Sequence, residues 1–368
     1  MMLTGYLAQQ EKEDTIPLWK EAFPEDGPEF LAYYYREKTK DNRILAAWEG
    51  EKDSRRIISM VQRNPYKLWL KGCVADSDYI VAVATVKDKR HQGLMRMLMT
   101  GMMEDMHREG MPFCYLMPAN RKIYEPFGFA YIYDQEHWAV PEETERRLIK
   151  EKVGPEDSGE AARWMEEWLE QEYEVFAVRD KAYVERLLAE LESEKGQMEF
   201  LCDQGRTVGI RCWWGIKERE QRMLLCGRKY REDKKEKTPA IMARITDLEK
   251  CLGLMRLKKD SPFDRLEVVL SVEDSLCPWN NGVFLWTIGK EKSRAVKTEA
   301  RTGLGDQTGK IGIHLLTQWL FGYKSLEEVG CGQQESGIKK KASTPAGEGT
   351  PWWQEIDLWK KVFLDEIV

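Results

Sequence analysis

The sequence predicts an α/β (α+β) protein that folds as two or three domains. Its 368 residues exceed the size at which a single hydrophobic core stops growing. Apolar residues make up 42% and charged residues 33% of the chain, a balance that is typical of globular proteins. Alternating and continuous apolar runs at residues 57–61, 79–86 and 113–117 lie between segments of helical periodicity. This alternation of strands and helices indicates an α/β fold.

Changes in composition divide the chain into three regions. Region one, residues 1–140, has the α/β pattern, and region two, residues 141–238, opens with amphipathic helices and continues with strand-like runs. The charge-dense stretch 229–237 indicates a solvated linker or hairpin at the next boundary. Region three, residues 239–368, ends on apolar positions whose spacing favours a helix. Because termini are usually loose, an apolar end predicts docking against another surface.

Composition and charge argue against several classes of function. Residues 1–20 lack a basic stretch followed by an apolar run, and no stretch approaches the roughly 18 apolar residues of a membrane span. We therefore expect a cytoplasmic protein with no membrane partner. Eight cysteines are scattered without a Cys-x-x-Cys motif or a nearby histidine pair, which predicts reduced thiols and no metal site. A formal charge of −6 argues against a nucleic-acid partner.

The most informative segment is a strand at residues 79–86 that runs into a basic loop and then into a helix. Apolar residues recur along one stripe of this helix, and Gly110 predicts its end. A loop at a helix N terminus offers unpaired N–H groups and the positive end of the helix dipole, which together bind anions. Arg90 and Arg96 add positive charge, and Gly93 lets the backbone approach a phosphate closely. An ordinary helix start shares these features. The segments that follow therefore decide whether the loop is an anion-binding site or only the start of a helix.

A second strand and two turns follow this helix. The strand at residues 113–117 leads into Pro118-Ala119-Asn120, then to Tyr124, and then to Phe127-Gly128-Phe129. This order resembles the GNAT acetyltransferase superfamily, in which two neighbouring parallel strands splay apart around the pantetheine arm of acetyl-CoA. The resemblance favours the anion-binding interpretation of the loop.

Longer motifs are similar to those of the enhanced intracellular survival acetyltransferases. They lie at residues 90–96, 116–119 and 123–129 in region one and at residues 239–245, 280–282 and 320–323 in region three. That family has two GNAT-type regions and a C-terminal sterol-carrier-protein-like domain, so the resemblance covers nearly the whole chain. Region two has no pyrophosphate loop of its own, which implies one acetyl-CoA site per chain. The resemblance also implies a homo-oligomer, a hexamer built from trimers.

The resemblance implies a role for individual residues at the acetyl-CoA site. The backbone groups that pair with the pantetheine arm and polarise the thioester belong to Val83, Ala84 and Thr85. The residues that hold the pyrophosphate are His91, Gln92, Gly93, Leu94, Met95 and Arg96. Ala119 and Asn120 meet the arm near its reactive end.

Two groups are expected to move protons. Tyr124 lies just past the second strand, where the family places its proton donor, although it could instead pack on Phe127 and Phe129. The base of the family is the carboxylate of the last residue, here Val368, whose pKa would rise on burial. The alternative is that Ile367 and Val368 only plug a groove.

The chain is thus predicted to be an N-acetyltransferase that uses acetyl-CoA and no metal. Its acceptor is a primary amine, aminoglycoside-like or lysine-like, which attacks the thioester directly in a ternary complex. Two alternatives stay open. One is a non-catalytic protein that binds acetyl-CoA or an apolar ligand in region three, and the other is an acyltransferase for longer acyl chains.

Overall fold

The computed structural model describes residues 2–50, 55–298, 310–330, 338–340 and 351–366. These residues form the predicted mixture of helices and strands. The limits of the three regions stay a prediction, but the structure shows which elements each region supplies and how the sheets connect them.

Region one supplies most strands of the largest sheet and the helices that cover it. The strands are β1 (Met2–Tyr6), β2 (Arg43–Glu49), β3 (Arg56–Leu70), β4 (Cys73–Thr85), β5 (Phe113–Leu116) and β6 (Ala130–Gln135). The helices are α1 (Ile16–Ala22), α2 (Pro28–Glu37), α3 (Leu94–Arg108) and α4 (Arg121–Tyr124). The predicted apolar stripe of α3 is buried. This helix ends just before Gly110, whose φ of +72° lies in the left-handed region that favours glycine.

Region two forms a smaller antiparallel sheet with helices packed against it. Its strands are β8 (Ile149–Lys152), β9 (Val175–Ala177), β10 (Gln197–Asp203), β11 (Arg206–Trp214), β12 (Glu220–Cys226) and β13 (Glu232–Asp233), and β13 pairs with β7 (Trp138–Ala139) at the end of region one. Its helices are α5 (Glu142–Arg147), α6 (Ser158–Glu172) and α7 (Lys181–Ser193). The sheet order is β12-β11-β10-β8. Gly205 joins β10 to β11 with a φ of +75°, which agrees with the predicted turn.

Region three contributes a further sheet and two helices among the described residues. Its strands are β14 (Thr238–Ile245), β15 (Arg256–Leu257), β16 (Arg265–Glu273), β17 (Gly282–Gly289), β18 (Arg294–Thr298), β19 (Ile311–Gly312), β20 (Ile338–Lys340), β21 (Ile356–Asp357) and β22 (Val362–Phe363). Its helices are α8 (Leu248–Leu254) and α9 (Ile313–Leu320). The sheet runs in the order β18-β17-β16-β19, and β20 also pairs with β16.

The largest sheet joins all three regions. Its main order is β1-β2-β3-β4-β5-β14-β6, so β14 of region three lies between two strands of region one. In this order only β4 and β5 are parallel. Strand β9 of region two pairs with β3, and β22 pairs with β9 in the parallel sense. The C-terminal segment is therefore held next to strands of regions one and two.

The C-terminal segment forms strands instead of the helix that its apolar spacing favours. Ile356 pairs with Leu257, and Val362 pairs with Val175. Both partners lie far away in the sequence, so a local periodicity cannot reveal them, and long-range pairing overrides it. The predicted docking is observed for residues 362–366, all of which are buried.

The cysteines agree with the predicted reduced state. The seven that fall among the described residues are free thiols, and only Cys73 is partly exposed. Within the described part of the chain, no helix is long and apolar enough to cross a membrane.

Candidate active site

Strands β4 and β5 part immediately after a single residue pair. They are joined at Tyr79 and Tyr115. Beyond that pair β4 bulges, because its register against β3 shifts between Met60 and Gln62. Ala82 in the bulge has a φ of +49°, which is strained backbone for a residue with a Cβ atom. The two strands therefore enclose a gap at their C-terminal ends.

The loop before α3 presents unpaired backbone N–H groups beside this gap. His91 and Gly93 have φ values of +62° and +82°, and Gly93 is the N-cap of α3. Among the described residues, the N–H groups of residues 91–96 have no hydrogen-bond acceptor. The Nε of Arg90 donates to the carbonyl of Thr85 over 3.1 Å and fixes the loop to the end of β4. The loop thus has the geometry of an anion site at a helix N terminus.

The residues predicted to meet the pantetheine arm lie at the same edge of the sheet. Val83, Ala84 and Thr85 end β4, and Ala119 and Asn120 follow β5. Because β4 and β5 are parallel, their C-terminal ends share one edge.

Some polar groups of this set already have partners. The Oγ of Ser59 donates to the Ala84 carbonyl over 3.0 Å. The side chain of Asn120 accepts from the Lys122 amide over 3.0 Å and caps α4, so it is committed to that turn. Val83 is half-buried.

Tyr124 ends α4 beside the same edge. Its ring packs edge-on against Phe129 with centroids 5.9 Å apart, so one part of the packing alternative is present. Burial raises the pKa of Tyr124 to about 12, which keeps the phenol protonated at neutral pH. A protonated phenol can donate to a leaving thiolate, and packing against Phe129 would hold it in place.

The predicted base falls outside the described residues. Val368 and Ile367 are not among them, and the described chain ends at Glu366. The terminal carboxylate therefore stays a prediction.

A buried charge cluster surrounds the last described residues, and sequence analysis did not identify it. The guanidinium of Arg179 is fully buried and forms an ion pair with Asp365. Its Nη2 also lies 3.7 Å from Oε1 of Glu366. Arg222 lies 3.6 Å from Asp365 and 3.9 Å from Glu190. The sequence contained a signal of this cluster, because Asp365 and Glu366 are the two charged residues in the otherwise apolar stretch 362–368.

Tyrosine rings connect this cluster to the point where β4 and β5 part. Tyr66 packs against Tyr79, Tyr115 and Tyr183 with centroid distances of 6.5, 6.3 and 6.3 Å. The hydroxyl of Tyr183 donates to Oε1 of Glu366 over 3.4 Å. Burial, and after it the charge of Glu366, raise the pKa of Tyr115 well above its usual value. Glu366 therefore lies close to the joined end of the gap.

A cavity of about 820 Å³ reaches this cluster from the side opposite the loop. Its exposed rim includes residues that follow α3 and residues at the start of β4, and its inner end includes the buried Glu190, Arg222 and Glu366. Its acidic lining residues are Asp41, Asp76, Asp78, Glu109, Asp180, Glu190 and Glu366, and its basic ones are Lys38, Arg43, Lys67, Arg186 and Arg222. Helix α3 has 15 residues and rises about 1.5 Å per residue, so the loop and the rim lie on opposite ends of the sheet.

Two parts of the chain match known protein families. Residues 5–132 match the family model described as acetyltransferase (GNAT) domain, and residues 250–342 match the sterol carrier protein domain. The region-one fold with its parted strands is thus that of a GNAT acetyltransferase domain, and a sterol carrier protein domain follows it. The protein is an acetyltransferase enzyme, as predicted.

Solved structures of similar fold extend over the whole chain. A probable N-acyltransferase from Enterococcus faecalis V583 is 16% identical with a TM-score of 0.75, and 100% of each chain is covered. A GCN5-related N-acetyltransferase from Kribbella flavida is 14% identical with a TM-score of 0.73, and the likeness covers 100% of this chain and 98% of the Kribbella chain. Eis1 from Mycobacterium abscessus is 13% identical with a TM-score of 0.66, and 100% of each chain is covered. These likenesses confirm the predicted resemblance at the level of the fold. No curated protein sequence matches the chain.

Proposed function

We propose that the protein transfers the acetyl group of acetyl-CoA to a primary amine by direct attack in a ternary complex. The observation that supports this most is the gap between β4 and β5, which opens beside N–H groups of residues 91–96 that have no acceptor in the part of the chain that the structure describes. A diphosphate held by these groups would direct the pantetheine arm into the gap. The thioester would then reach the bulge at residues 82–83, where backbone N–H groups polarise its carbonyl.

The reaction needs one proton removed from the acceptor and one supplied to the sulfur. An alkyl ammonium has a pKa of about 10.4 and must lose a proton before it attacks. Tyr124 is the proposed donor to the departing thiolate. The terminal carboxylate of Val368 is the base implied by the family resemblance.

The cavity of about 820 Å³ is the proposed acceptor site, because it approaches the joined strands from the side that the cofactor loop leaves open. Its lining carries seven acidic and five basic residues, and this excess of acidic residues suits a cationic amine. Aminoglycoside-like and lysine-like amines both meet this requirement. A hexameric assembly and a cytoplasmic location belong to the same proposal.

The alternative of an apolar-ligand carrier is weaker. Two tryptophans, Trp286 and Trp319, are buried within region three, and their rings pack edge-on with centroids 6.4 Å apart. The indole of Trp286 donates to the carbonyl of Leu252 over 3.0 Å. The two indoles thus fill the part of the described interior between β17 and α9, where such a ligand would otherwise fit. An acyltransferase for longer chains stays an alternative that donor length can test.

The proposal is tested by thiol release from acetyl-CoA across a panel of primary amines. The wild type is expected to release thiol with at least one amine, and Tyr124→Phe to lower kcat about 100-fold or more while acetyl-CoA affinity is kept. Propionyl-CoA and longer donors measure the acyl-length preference. If acetyl-CoA binds but no amine promotes thiol release, the binding-protein alternative replaces the enzyme.

A further inference from the structure

We propose that the side-chain carboxylate of Glu366 is the base that takes the proton of the acceptor ammonium. This inference rests on the proposed acetyl transfer and replaces the terminal carboxylate in that role. Three observations carry it: the position of Glu366 in the acceptor cavity, its incomplete set of partners, and its closeness to the end of the gap.

Glu366 forms part of the inner wall of the cavity and is only 2% exposed. Its Oε1 faces Tyr183 at 3.4 Å and Arg179 at 3.7 Å. Its Oε2 is buried and has no hydrogen-bond partner within the described part of the chain. A buried carboxylate oxygen without a donor is costly, and an ammonium group in the cavity would supply the missing donor.

The neighbouring acid is engaged differently. Asp365 accepts directly from Arg179 and lines a separate cavity of about 360 Å³. The two consecutive acids therefore face different spaces. Arg179 forms the closer ion pair with Asp365, and within the described part of the chain the Oε2 of Glu366 is left available to a substrate.

Tyr115 connects Glu366 with the gap that separates β4 from β5. Its hydroxyl is buried and also lacks a hydrogen-bond partner among the described residues. Tyr115 and Tyr79 form the pair that joins β4 to β5, and the charge of Glu366 acts on both rings. An amine between Glu366 and Tyr115 would therefore stand at the closed end of the gap, facing the thioester.

The protons balance without another reactant. The ammonium gives one proton to Glu366, and the neutral amine nitrogen forms a bond to the carbonyl carbon of the thioester. The C–S bond then breaks, its electron pair goes to sulfur, and the sulfur takes the proton of Tyr124. The second proton of the nitrogen restores Tyr124, and Glu366 releases its proton to solvent through the cavity.

The electrostatic surroundings suit a base that works near neutral pH. Burial is the main cause that raises the pKa of Glu366 to about 7, against the opposing effect of Arg179. The charged and titratable groups that face it from the packed elements are Arg179, Arg222, Asp365, Tyr66, Tyr79, Tyr115 and Tyr183.

The test compares the wild type with four variants, using the amine that works best in the thiol-release panel as the acceptor. For the wild type, kcat/KM for the amine is measured from about pH 5 to about pH 9, and an acidic limb near neutral pH is expected. Glu366→Gln should lose this limb and about 100-fold or more in kcat, with calorimetric affinity for acetyl-CoA unchanged. Asp365→Asn should keep the limb and move it to lower pH, because Asp365 raises the pKa of Glu366. A variant extended beyond Val368 should also keep the limb.

Two results overturn the proposal. One is a Glu366→Gln enzyme that keeps the wild-type limb and rate, and the other is an extended variant that loses the limb while Glu366→Gln keeps it. Glu366→Asp is the control for misfolding caused by a substitution at this position. It retains a carboxylate, so it should keep measurable activity and the acidic limb of the pH profile. A wild type that releases thiol with no amine would instead contradict the acetyl transfer itself.

Discussion

Alanine at Gly93 tests whether the loop before α3 holds the cofactor. Gly93 has a φ of +82° and a ψ of 2°, and a Cβ atom added there would meet no atom within 4 Å. The substitution therefore causes no clash, and its cost is the backbone strain of a left-handed residue. That strain is about 1–2 kcal/mol.

This strain can be relieved if the loop leaves its left-handed conformation. The N–H groups of residues 91–96 would then no longer converge on one anion. A bias of about 1–2 kcal/mol lowers the population of the binding conformation about 5- to 30-fold, and the apparent Kd for acetyl-CoA rises by the same factor. We expect kcat at saturating acetyl-CoA to change little, because Gly93 is the N-cap of α3 and not part of the bulge where the thioester is proposed to bind.

Gly205 supplies a matched control. It has a φ of +75°, open space around an added Cβ, and a position in the turn between β10 and β11 on region two. Both alanine variants should lose about 1–2 kcal/mol in urea unfolding, yet only Gly93→Ala should weaken acetyl-CoA binding in calorimetry. Equal acetyl-CoA affinities in the two variants, with equal losses of stability, would refute the assignment of this loop.

Two further predictions concern buried charges. Arg63→Met should cost about 3–5 kcal/mol in urea unfolding, because it leaves the buried Asp78 without the guanidinium that lies 2.5 Å from it. A loss below about 1 kcal/mol would show that the pair behaves as an exposed one. Glu366→Gln should raise Tm near pH 9 but not near pH 5. Folding raises the pKa of Glu366 from 4.5 to about 7. The stability that the protonated form of Glu366 contributes is therefore lost as the pH rises through 7. The difference amounts to about 3 kcal/mol, and an equal Tm change at both pH values would contradict it.

The loop and its helix could be predicted because their signals are local. The apolar stripe, Gly93 and Gly110 lie within a few residues of one another, and each has a direct structural meaning in φ or burial. The parting of β4 from β5 followed from the resemblance, and the structure adds its cause. That cause is the bulge at Ala82, which no local propensity indicates.

The charge cluster could not be predicted, because its partners are remote in sequence. Arg179 and Asp365 are separated by 186 positions, and the two meet only because β22 pairs with β9. The same remoteness explains the incorrect expectation of a C-terminal helix. The sequence showed that the terminus would dock, but the strand that it docks against was not visible.

The structure also shows how region three supports the acetyltransferase domain. Strand β14 lies between β5 and β6, and Arg244 on it is fully buried. Arg244 donates to the carbonyl of Phe127 over 2.8 Å and to Asp274 over 2.6 Å. Gly128 packs so closely that an added Cβ would lie 2.9 Å from Arg244. Region three therefore holds in place the turn that follows Tyr124, and its last residues bring Glu366 to the opposite side of the gap. Both groups proposed to move protons thus depend on region three for their positions, although neither cofactor loop nor gap belongs to it.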